Sequence, residues 1–265
     1  PKLTTTDANS FAAKMRPISS FSVFYWVIVN NHWGGNIEAP ATKINGTVVP
    51  AGGIFDFWKV VGDLHKLPGE GPGNAIEGGK ITVTGAFGGG ICTTSTTLFN
   101  AAFRAGMVPI ARRNHSEYIT RYPAGLDATV WIVGGTKQTM SFKNDTPHGV
   151  FITTIMKNTS ITVQIWGTKV YDKIKAISGP RYNVSPAGGI QYDSSSTCHA
   201  QSGTEGFSID VYRVFWKGGK EVKREKITTH YKPSPTVLCK PDPSKVSPSP
   251  SPSGSATGTG KPVAT

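Results

Sequence analysis

A run of three glycines in front of a single cysteine is the sequence feature that most restricts how this chain folds. The stretch FGGGICTTSTTLFNAAFRAG runs from Phe87 to Gly106 and contains Cys92. Residues 93–95 carry hydroxyl groups, which are typical of the start of a helix. The spacing of one buried helix face follows at Leu98, Ala101, Ala102 and Ala105. Gly106 stands where a helix ends. The sequence therefore predicts a glycine turn that leads into a buried helix.

The rest of the chain is typical of strands and turns. The longest apolar run, Phe21–Val29, is too short to cross a bilayer, and its aromatic and β-branched residues predict a buried strand. Alternating residues in Gly206–Thr229, with a turn at Gly218-Gly219, predict a hairpin. The glycine-rich sequence of Gly69–Gly79 predicts a loop, and residues 168–186 predict a break in the series of strands. The expected fold class is α+β: a β-rich mixed domain with a buried helix after the glycine-rich cysteine loop, plus a small β-rich C-terminal region.

Changes in composition divide the chain into four predicted segments. Residues 1–20 are polar and poorly patterned, and residues 21–167 form the main domain. Residues 168–239 form a β-rich extension. Residues 240–265 are rich in Pro, Ser and Gly and cannot bury a core, so a disordered tail is expected there.

The chain is basic, with a formal net charge of +12, and turn-rich, with 31 Gly and 19 Pro. This composition is typical of β-rich extracellular proteins and favours an anionic neighbourhood, such as wall polymers. No Lys/Arg-dense run or nucleic-acid motif is present, which argues against nucleic acid as a partner. The sequence begins at Pro1, so an export signal is expected to have been removed. We expect an extracellular protein, at the cell wall or cell surface, with no membrane span in this chain.

The three cysteines are expected to have different fates. Cys198 and Cys239 lie on either side of a strand-like block, and a disulfide between them would fit an oxidising compartment. Cys92 is then unpaired. It is either a reactive thiol or an inert, buried small side chain, and both interpretations stay open at this point.

The position of Cys92 favours the interpretation as a reactive thiol. Free N–H groups and the dipole at a helix N-terminus stabilise a thiolate and an oxyanion. The glycines allow a substrate backbone to approach the sulfur. The layout of strand, glycine turn, nucleophile and helix resembles a nucleophile elbow.

A cysteine nucleophile needs a base, and the chain offers six histidines. His115 follows the predicted helix, and Asp127 comes after a turn that would let it orient His115. The sequence has no His or Cys residues at the spacing of metal ligands, and the glycines are not followed by the Gly-Lys-Ser/Thr end of a phosphate-binding loop. We therefore expect neither a metal nor a cofactor.

Several blocks in order resemble the VanW domain family. They are GGGICTTSTTLFNAAFRAG, RNHSEYITRYPAGLDATV and, upstream, Asn36–Gly62 (NIEAPATKINGTVVPAGGIFDFWKVVG). The resemblance covers about Asn36 to Trp166, and the later GFSIDVYRVFWKGGKEVKREKITTHYKPSPTV is similar to a β-rich extension that often follows this domain. This chain departs from the family pattern at Thr93, where Gln is usual, and at Phe55–Trp58, where FDFW replaces Phe-Ser-Phe-Asn.

The resemblance implies a bacterial cell-envelope protein that acts as a cysteine-dependent L,D-transpeptidase on peptidoglycan stem peptides. Carried over to this sequence, it implies Cys92 as nucleophile, with His115 as base and Asp127 as its orienting group. Candidate substrate-binding residues are Gly89, Gly90, Thr93, Ser95, Ser116 and Arg112; Arg113 and Arg121 are further candidates for holding a substrate carboxylate.

Two other interpretations remain. The chain would be a non-catalytic wall-binding or structural surface module if the glycine-rich groove only holds peptide or glycan. It would be a cysteine peptidase or carboxypeptidase on stem peptides if water replaces the amine acceptor. The combined pattern favours an enzyme.

Overall fold

The computed structural model describes residues 15–25, 32–77 and 79–245, and it is a mixed α+β structure. The described helices are α1 (Trp33–Ile44), α2 (Phe57–Val61) and α3 (Cys92–Ala105). Two short 3₁₀ helices lie at Leu64–Lys66 and Pro243–Lys245. The strands are β1 (Arg16–Phe24), β2 (Val48–Val49), β3 (Ile54–Asp56), β4 (Pro72–Glu77), β5 (Lys80–Phe87), β6 (Val108–Ala111), β7 (Trp131–Val133), β8 (Thr136–Gln138), β9 (Ser141–Lys143), β10 (Val150–Lys157), β11 (Ser160–Gly167), β12 (Lys173–Ser185), β13 (Gly188–Tyr192), β14 (Gly206–Lys217), β15 (Lys220–Tyr231) and β16 (Pro235–Leu238).

Helix α3 packs on an antiparallel sheet of order β1-β11-β10-β2. Strand β11 alternates as the sequence pattern requires, and it buries Ile161, Val163 and Ile165 completely. Each such side chain contributes about 1.5–3 kcal/mol of hydrophobic stabilisation. Almost every residue of α3 is buried, because α1 and the C-terminal strand β12 also contact it. The start of α3 is therefore anchored in the core.

Helix α1 has no counterpart among the elements expected from the sequence. Its sequence, WGGNIEAPATKI, contains two glycines and an interior proline, all of which disfavour a helix. The helix forms because tertiary packing overrides propensity: Trp33, Ile37, Ala41 and Ile44 lie on one buried face.

Residues 168–245 contribute a three-stranded antiparallel sheet of order β12-β14-β15 and a parallel pair of β13 and β16. The hairpin of β14 and β15 turns at Gly218-Gly219, and Cys198 and Cys239 form a disulfide. The break expected at 168–186 is wrong, since β12 pairs with β14 over most of that range. The register of β12 shifts between Ser178 and Arg181, where Gly179 and Pro180 interrupt the alternation that reveals a strand in sequence.

One further expectation differs from the structure, and another falls partly outside the described residues. The predicted Gly69–Gly79 loop contains β4, which pairs with β5 despite Gly73 within it. The apolar run Phe21–Val29 continues into residues 26–29, which lie outside the described residues, as do residues 1–14 and the tail beyond residue 245. The division of the chain at residues 20, 167 and 239 stays a prediction, although β1 begins at Arg16. No helix in the described ranges has the length and apolar character needed to span a membrane.

Candidate functional site

The glycine turn in front of α3 is fixed by close backbone packing. Gly88 and Gly90 have positive φ angles of 79° and 112°, which L side chains rarely adopt. A Cβ atom on Gly89 would lie 2.4 Å from the carbonyl carbon of Gly73 in β4. The glycines therefore let this turn lie directly against the β4 backbone.

Asn36 of α1 fastens the same turn from within the core. Its side-chain amide donates to the carbonyl oxygens of Gly89 (2.8 Å) and Gly71 (2.9 Å), and its Oδ1 accepts from the Gly71 amide (3.0 Å). The side chain is fully buried. One residue thus joins α1, the start of β4 and the glycine turn.

The hydroxyl groups that follow Cys92 do not cap α3. The residue before the helix is Ile91, which makes no side-chain cap. The Thr94 hydroxyl donates to the Ile37 carbonyl in α1 (2.8 Å), and the Thr96 hydroxyl to the Ala128 carbonyl (3.3 Å). These hydroxyls instead join the helix to its neighbours.

The sulfur of Cys92, the first residue of α3, lies against residues 129 and 130. The Thr129 hydroxyl oxygen and the Val130 amide nitrogen are each 3.4 Å from Sγ, and the Val130 carbonyl oxygen lies at the same distance. No backbone carbonyl of the described residues accepts a hydrogen bond from the Cys92 amide. The next amide, that of Thr93, donates to the Gly90 carbonyl. The sulfur and this amide therefore sit side by side at the helix start.

His115 and Asp127 form a short ion pair beside the sulfur. The Nδ1 and the backbone amide of His115 each lie 2.7 Å from Asp127 Oδ2. The ring of His115 stacks on Tyr122, with centroids 5.6 Å apart. The Tyr122 hydroxyl in turn lies 3.0 Å from Thr93 Oγ1. The imidazole is held by the carboxylate and an aromatic ring, and the carboxylate is held in turn by the His115 backbone amide.

The electrostatics of the three groups favour a thiolate beside an imidazolium. Burial raises the pKa of the Cys92 thiol, but the hydrogen bond and positive charge of His115 outweigh it, and the pKa lies below its ordinary value. Burial lowers the pKa of His115, but its hydrogen bonds to Asp127 and Cys92 raise it to about 9. Burial likewise raises the pKa of Asp127, while His115, Arg112 and Tyr231 together hold it below the usual range.

The carboxylate of Asp127 is saturated by donors. Its Oδ1 accepts hydrogen bonds from the Tyr231 hydroxyl at 2.5 Å and from Arg112 Nη2 at 3.4 Å, while Oδ2 contacts the ring nitrogen Nδ1 of His115. Asp127 is only 2% exposed. A buried carboxylate with this many partners stays ionised and fixed in orientation.

A cavity of about 830 Å³ opens over Cys92 and His115. This size suits a peptide or small-molecule ligand. The walls include aromatic side chains from several elements and the glycine turn itself. The far wall comes from the C-terminal region, at Gln201, Ser202, Thr204 and Ser234. Among the described residues, no group of three or more His, Cys, Asp or Glu side chains is placed to hold a metal ion.

The structure brings some of the expected site residues together and separates others. Cys92, His115, Gly89 and Gly90 line the cavity, and Asp127 lies behind His115. Thr93 and Ser95 are completely buried in α3, away from the cavity lining. Ser116 is exposed outside the cavity, and its carbonyl accepts from the Lys232 amide.

The arginines divide in a similar way. Arg112 is turned inward: its Nε donates to the Asp127 carbonyl (2.7 Å) and its Nη1 to the Thr229 hydroxyl (3.2 Å). Arg121 instead lines the cavity, with its guanidinium over the rings of Trp33 (4.8 Å) and Tyr122 (4.9 Å). Arg121 is better placed than Arg112 to meet a ligand.

Four residues that shape this site were not singled out in the sequence: Asn36, Tyr122, Thr129 and Tyr231. Tyr122 and Thr129 lie within the RNHSEYITRYPAGLDATV block, so the family resemblance was the available signal for them. Asn36 and Tyr231 act over 53 and 104 residues of sequence, respectively, and no local pattern marks them.

The family model of VanW-like proteins matches residues 34–166. The protein YoaR of Bacillus subtilis, described as uncharacterized, is 36% identical over 108 residues, which cover 41% of this chain and 35% of YoaR. The vancomycin B-type resistance protein VanW of Enterococcus faecalis is 26% identical over 166 residues, covering 58% of this chain and 57% of that protein. The chain thus spans between about a third and just over half of these relatives. No solved structure matches it significantly.

Proposed function

This chain belongs to the VanW-like family, and from that premise we propose that it is a cell-wall protein that cross-links peptidoglycan stem peptides as a cysteine-dependent L,D-transpeptidase. The observation that carries the proposal is the Cys92–His115–Asp127 arrangement at the floor of an open cavity. A thiolate, an imidazolium and an orienting carboxylate are the groups that acyl transfer through a thioester requires.

The first half of the reaction forms the acyl-enzyme. The Cys92 thiolate attacks the carbonyl carbon of the third residue of a stem tetrapeptide, and a carbon–sulfur bond forms. The amide bond to the terminal D-alanine breaks, and the imidazolium of His115 donates its proton to the leaving amine. In this proposal, the backbone amide of Cys92 donates to the oxyanion that develops on the attacked carbonyl.

The second half transfers the acyl group. An amine from a second stem peptide attacks the thioester, and neutral His115 takes the proton that this amine loses. The carbon–sulfur bond breaks, and a new amide links the two stems. The thiolate and the imidazolium are thereby restored. Water in place of the amine gives carboxypeptidase activity.

Arg121 takes the role of carboxylate ligand in this proposal. Arg121 lines the cavity, and its guanidinium lies over the rings of Trp33 and Tyr122, whereas Arg112 is bonded to Asp127 and Thr229. Guanidinium groups pair well with carboxylates. The terminal carboxylate of the donor peptide is therefore assigned to Arg121.

A location outside the cytoplasm is part of the same proposal. The Cys198–Cys239 disulfide is the kind of bond that persists in oxidising environments. The printed name of one relative refers to vancomycin resistance, which fits a role at the cell wall.

The test compares the purified chain with Cys92→Ala on synthetic stem tetrapeptides, with products read by mass spectrometry. A cross-linked dimer made by the wild type and absent with Cys92→Ala supports the transpeptidase. A trimmed monomer with the same Cys92 dependence instead indicates a peptidase. Unchanged peptide from both proteins contradicts catalysis and leaves a binding module.

Intact-mass analysis of the protein adds a direct control. Cys198 and Cys239 are joined, and Cys92 is the free cysteine of a chain that has three. An acyl adduct in the wild type that is lost in Cys92→Ala therefore locates the thioester without protein digestion.

A further inference from the structure

The last three residues of β15 and the residue that follows them each contact the segment that carries His115 and Asp127. We call Thr229, His230, Tyr231 and Lys232 the 229–232 segment. Its residues contact, in order, the guanidinium of Arg112 (3.2 Å), the side-chain amide of Asn114 (2.9 Å), the carboxylate of Asp127 (2.5 Å) and the carbonyl of Ser116 (2.7 Å).

The Tyr231 hydroxyl is the central contact of this set. It accepts a hydrogen bond from the Gly125 amide (2.8 Å) and donates to Asp127 Oδ1. The side chain is completely buried, and its ring packs against Phe207 and Tyr118. The hydroxyl therefore has one fixed position. It donates to Oδ1 of Asp127, whereas His115 contacts Oδ2.

The segment lies outside residues 34–166, which match the family model. The stretch from residue 112 to residue 130 has no regular strand of its own. Its geometry consequently depends on side-chain and backbone partners, and the 229–232 segment supplies four of them.

We propose that Tyr231 is a positioning residue for the Cys92–His115 pair, and that the C-terminal strands are thereby part of the catalytic unit. Tyr231 holds the Asp127 carboxylate so that Oδ2 faces His115, which keeps the imidazole in place beside the sulfur. The inference rests on the proposed function only in taking Cys92 and His115 as the reacting pair.

The charged and titratable groups around this network are few. Arg112 and His115 face Asp127, along with Tyr231 itself. Cys92, Asp127 and the stacked Tyr122 face His115. When Tyr231 loses its hydroxyl, Asp127 keeps Arg112 on Oδ1 at 3.4 Å and His115 on Oδ2, so its carboxylate is held less firmly in its present orientation. The imidazolium then loses part of its partner, and the thiolate loses part of its counterion.

The test is the pH profile of Cys92 alkylation by iodoacetamide in the full chain, wild type against Tyr231→Phe. This variant keeps the buried ring and removes only the hydroxyl. We expect the alkylation rate at pH 6–7 to fall about three- to tenfold, the equivalent of one hydrogen bond, and the midpoint of the profile to move to higher pH.

Tyr182→Phe is the matched control. The Tyr182 hydroxyl also donates to an aspartate, Asp210, at 3.1 Å, and it belongs to the same C-terminal sheet. Asp210 is bonded to Lys226 and Thr228 on β15 and not to His115. This control should leave the profile unchanged.

A purely structural role for Tyr231 would lower the stability of the protein and leave the midpoint for the folded protein unmoved, and that result overturns the proposal. In an Asp127→Asn background, Tyr231→Phe should cause no further shift, because the group it positions is gone; an additional shift of equal size also overturns the proposal.

Should Tyr231→Phe not fold, Thr229→Ala tests the same segment through Arg112. A smaller shift of the midpoint in the same direction is expected, and the absence of any shift contradicts the proposal. The readout needs no peptide substrate, so a failure of the transpeptidase assay leaves it interpretable.

Discussion

The region that matches the VanW-like family and the strands that follow it contribute to the candidate site in different ways. The matched region carries the groups proposed to react, Cys92 at the start of a buried helix and His115 in an irregular segment. The C-terminal strands carry Tyr231 and the far wall of the cavity. The sulfur is therefore fixed mainly by the core of its own region. The imidazole contacts Asp127 and Tyr122 of that region and depends on the neighbouring strands through the bond of Tyr231 to Asp127.

This difference has a physical cause. A residue at the first turn of a helix inherits its position from backbone hydrogen bonds and core packing. A residue in an irregular segment needs partners from elsewhere to hold it. The comparison teaches that the nucleophile should tolerate changes in the C-terminal strands better than the base does.

The largest expected effect follows from removing the base with His115→Asn. The Cys92 thiolate loses its counterion and the leaving amine loses its proton donor, so peptide transfer should fall by about 10²–10⁴-fold. The midpoint of the alkylation profile should rise to the ordinary thiol pKa, about 8.5, or above it, because burial is then opposed only by the contacts of the sulfur with Thr129 and Val130. Product mass spectrometry and alkylation rates measure the two effects. His148→Asn, at an exposed histidine of the matched region, should change neither.

The wild-type pH dependence tests the same pair without a mutation. His115 is protonated below its pKa of about 9 and loses its proton as the pH rises through that value. Transfer needs the imidazolium as proton donor, so its rate should fall above about pH 9. Alkylation needs only the thiolate and should not fall there. A parallel decline of both rates would contradict the assigned role of His115.

A smaller effect is expected from Gly89→Ala, which disturbs the nucleophile's side of the comparison. The new Cβ would lie 2.4 Å from the Gly73 carbonyl carbon and 2.5 Å from its oxygen, so the turn must move. A displacement of the sulfur by about 1 Å should reduce transfer by up to about 100-fold. Peptide transfer by folded protein is the measurement.

Gly34→Ala provides the control for this change. A Cβ at Gly34, in α1, meets nothing within 4 Å, and alanine favours a helix. Activity should be unchanged, with a gain in stability of up to about 1 kcal/mol. If Gly89→Ala behaves like Gly34→Ala, the packing of the turn on β4 does not position Cys92.

The sequence predicted those parts of the site that depend on local signals. Glycines before Cys92 and Gly106 after the helix are read directly from the chain, and α3 runs between them. The spacing of His115 and Asp127 allows a base with its orienting group, and the resemblance to the family is what assigns those roles to them. Arg112 was predicted to bind substrate because a guanidinium pairs well with a carboxylate. Its inward partner Thr229 lies 117 residues away, so no local pattern reveals it.

The remaining differences come from conflicts between local pattern and tertiary structure. Two glycines and Pro40 concealed α1, whose buried face forms only against the core. Gly179 and Pro180 concealed β12, whose pairing with β14 accommodates an irregular register. Tyr231 sits in a strand with an ordinary pattern, and its bond to Asp127 exists only because β15 ends beside the His115 segment.

The smallest effect on the site is expected from removing the disulfide with Cys198→Ser and Cys239→Ser together. The 229–232 segment is held by the antiparallel pairing of β15 with β14, which runs from Phe207–Tyr231 to Lys217–Lys220, and not by the disulfide. Alkylation of Cys92 should therefore stay within about twofold of the wild type, although loss of a cross-link over a separation of 41 residues should lower stability by about 3–4 kcal/mol on the chain-entropy model. Alkylation profiles and denaturant unfolding measure the two effects separately. A shift as large as that of Tyr231→Phe would show that the cross-link, rather than the β15 pairing, keeps the imidazole in position, and the contrast between the two regions would then need to be redrawn around the disulfide.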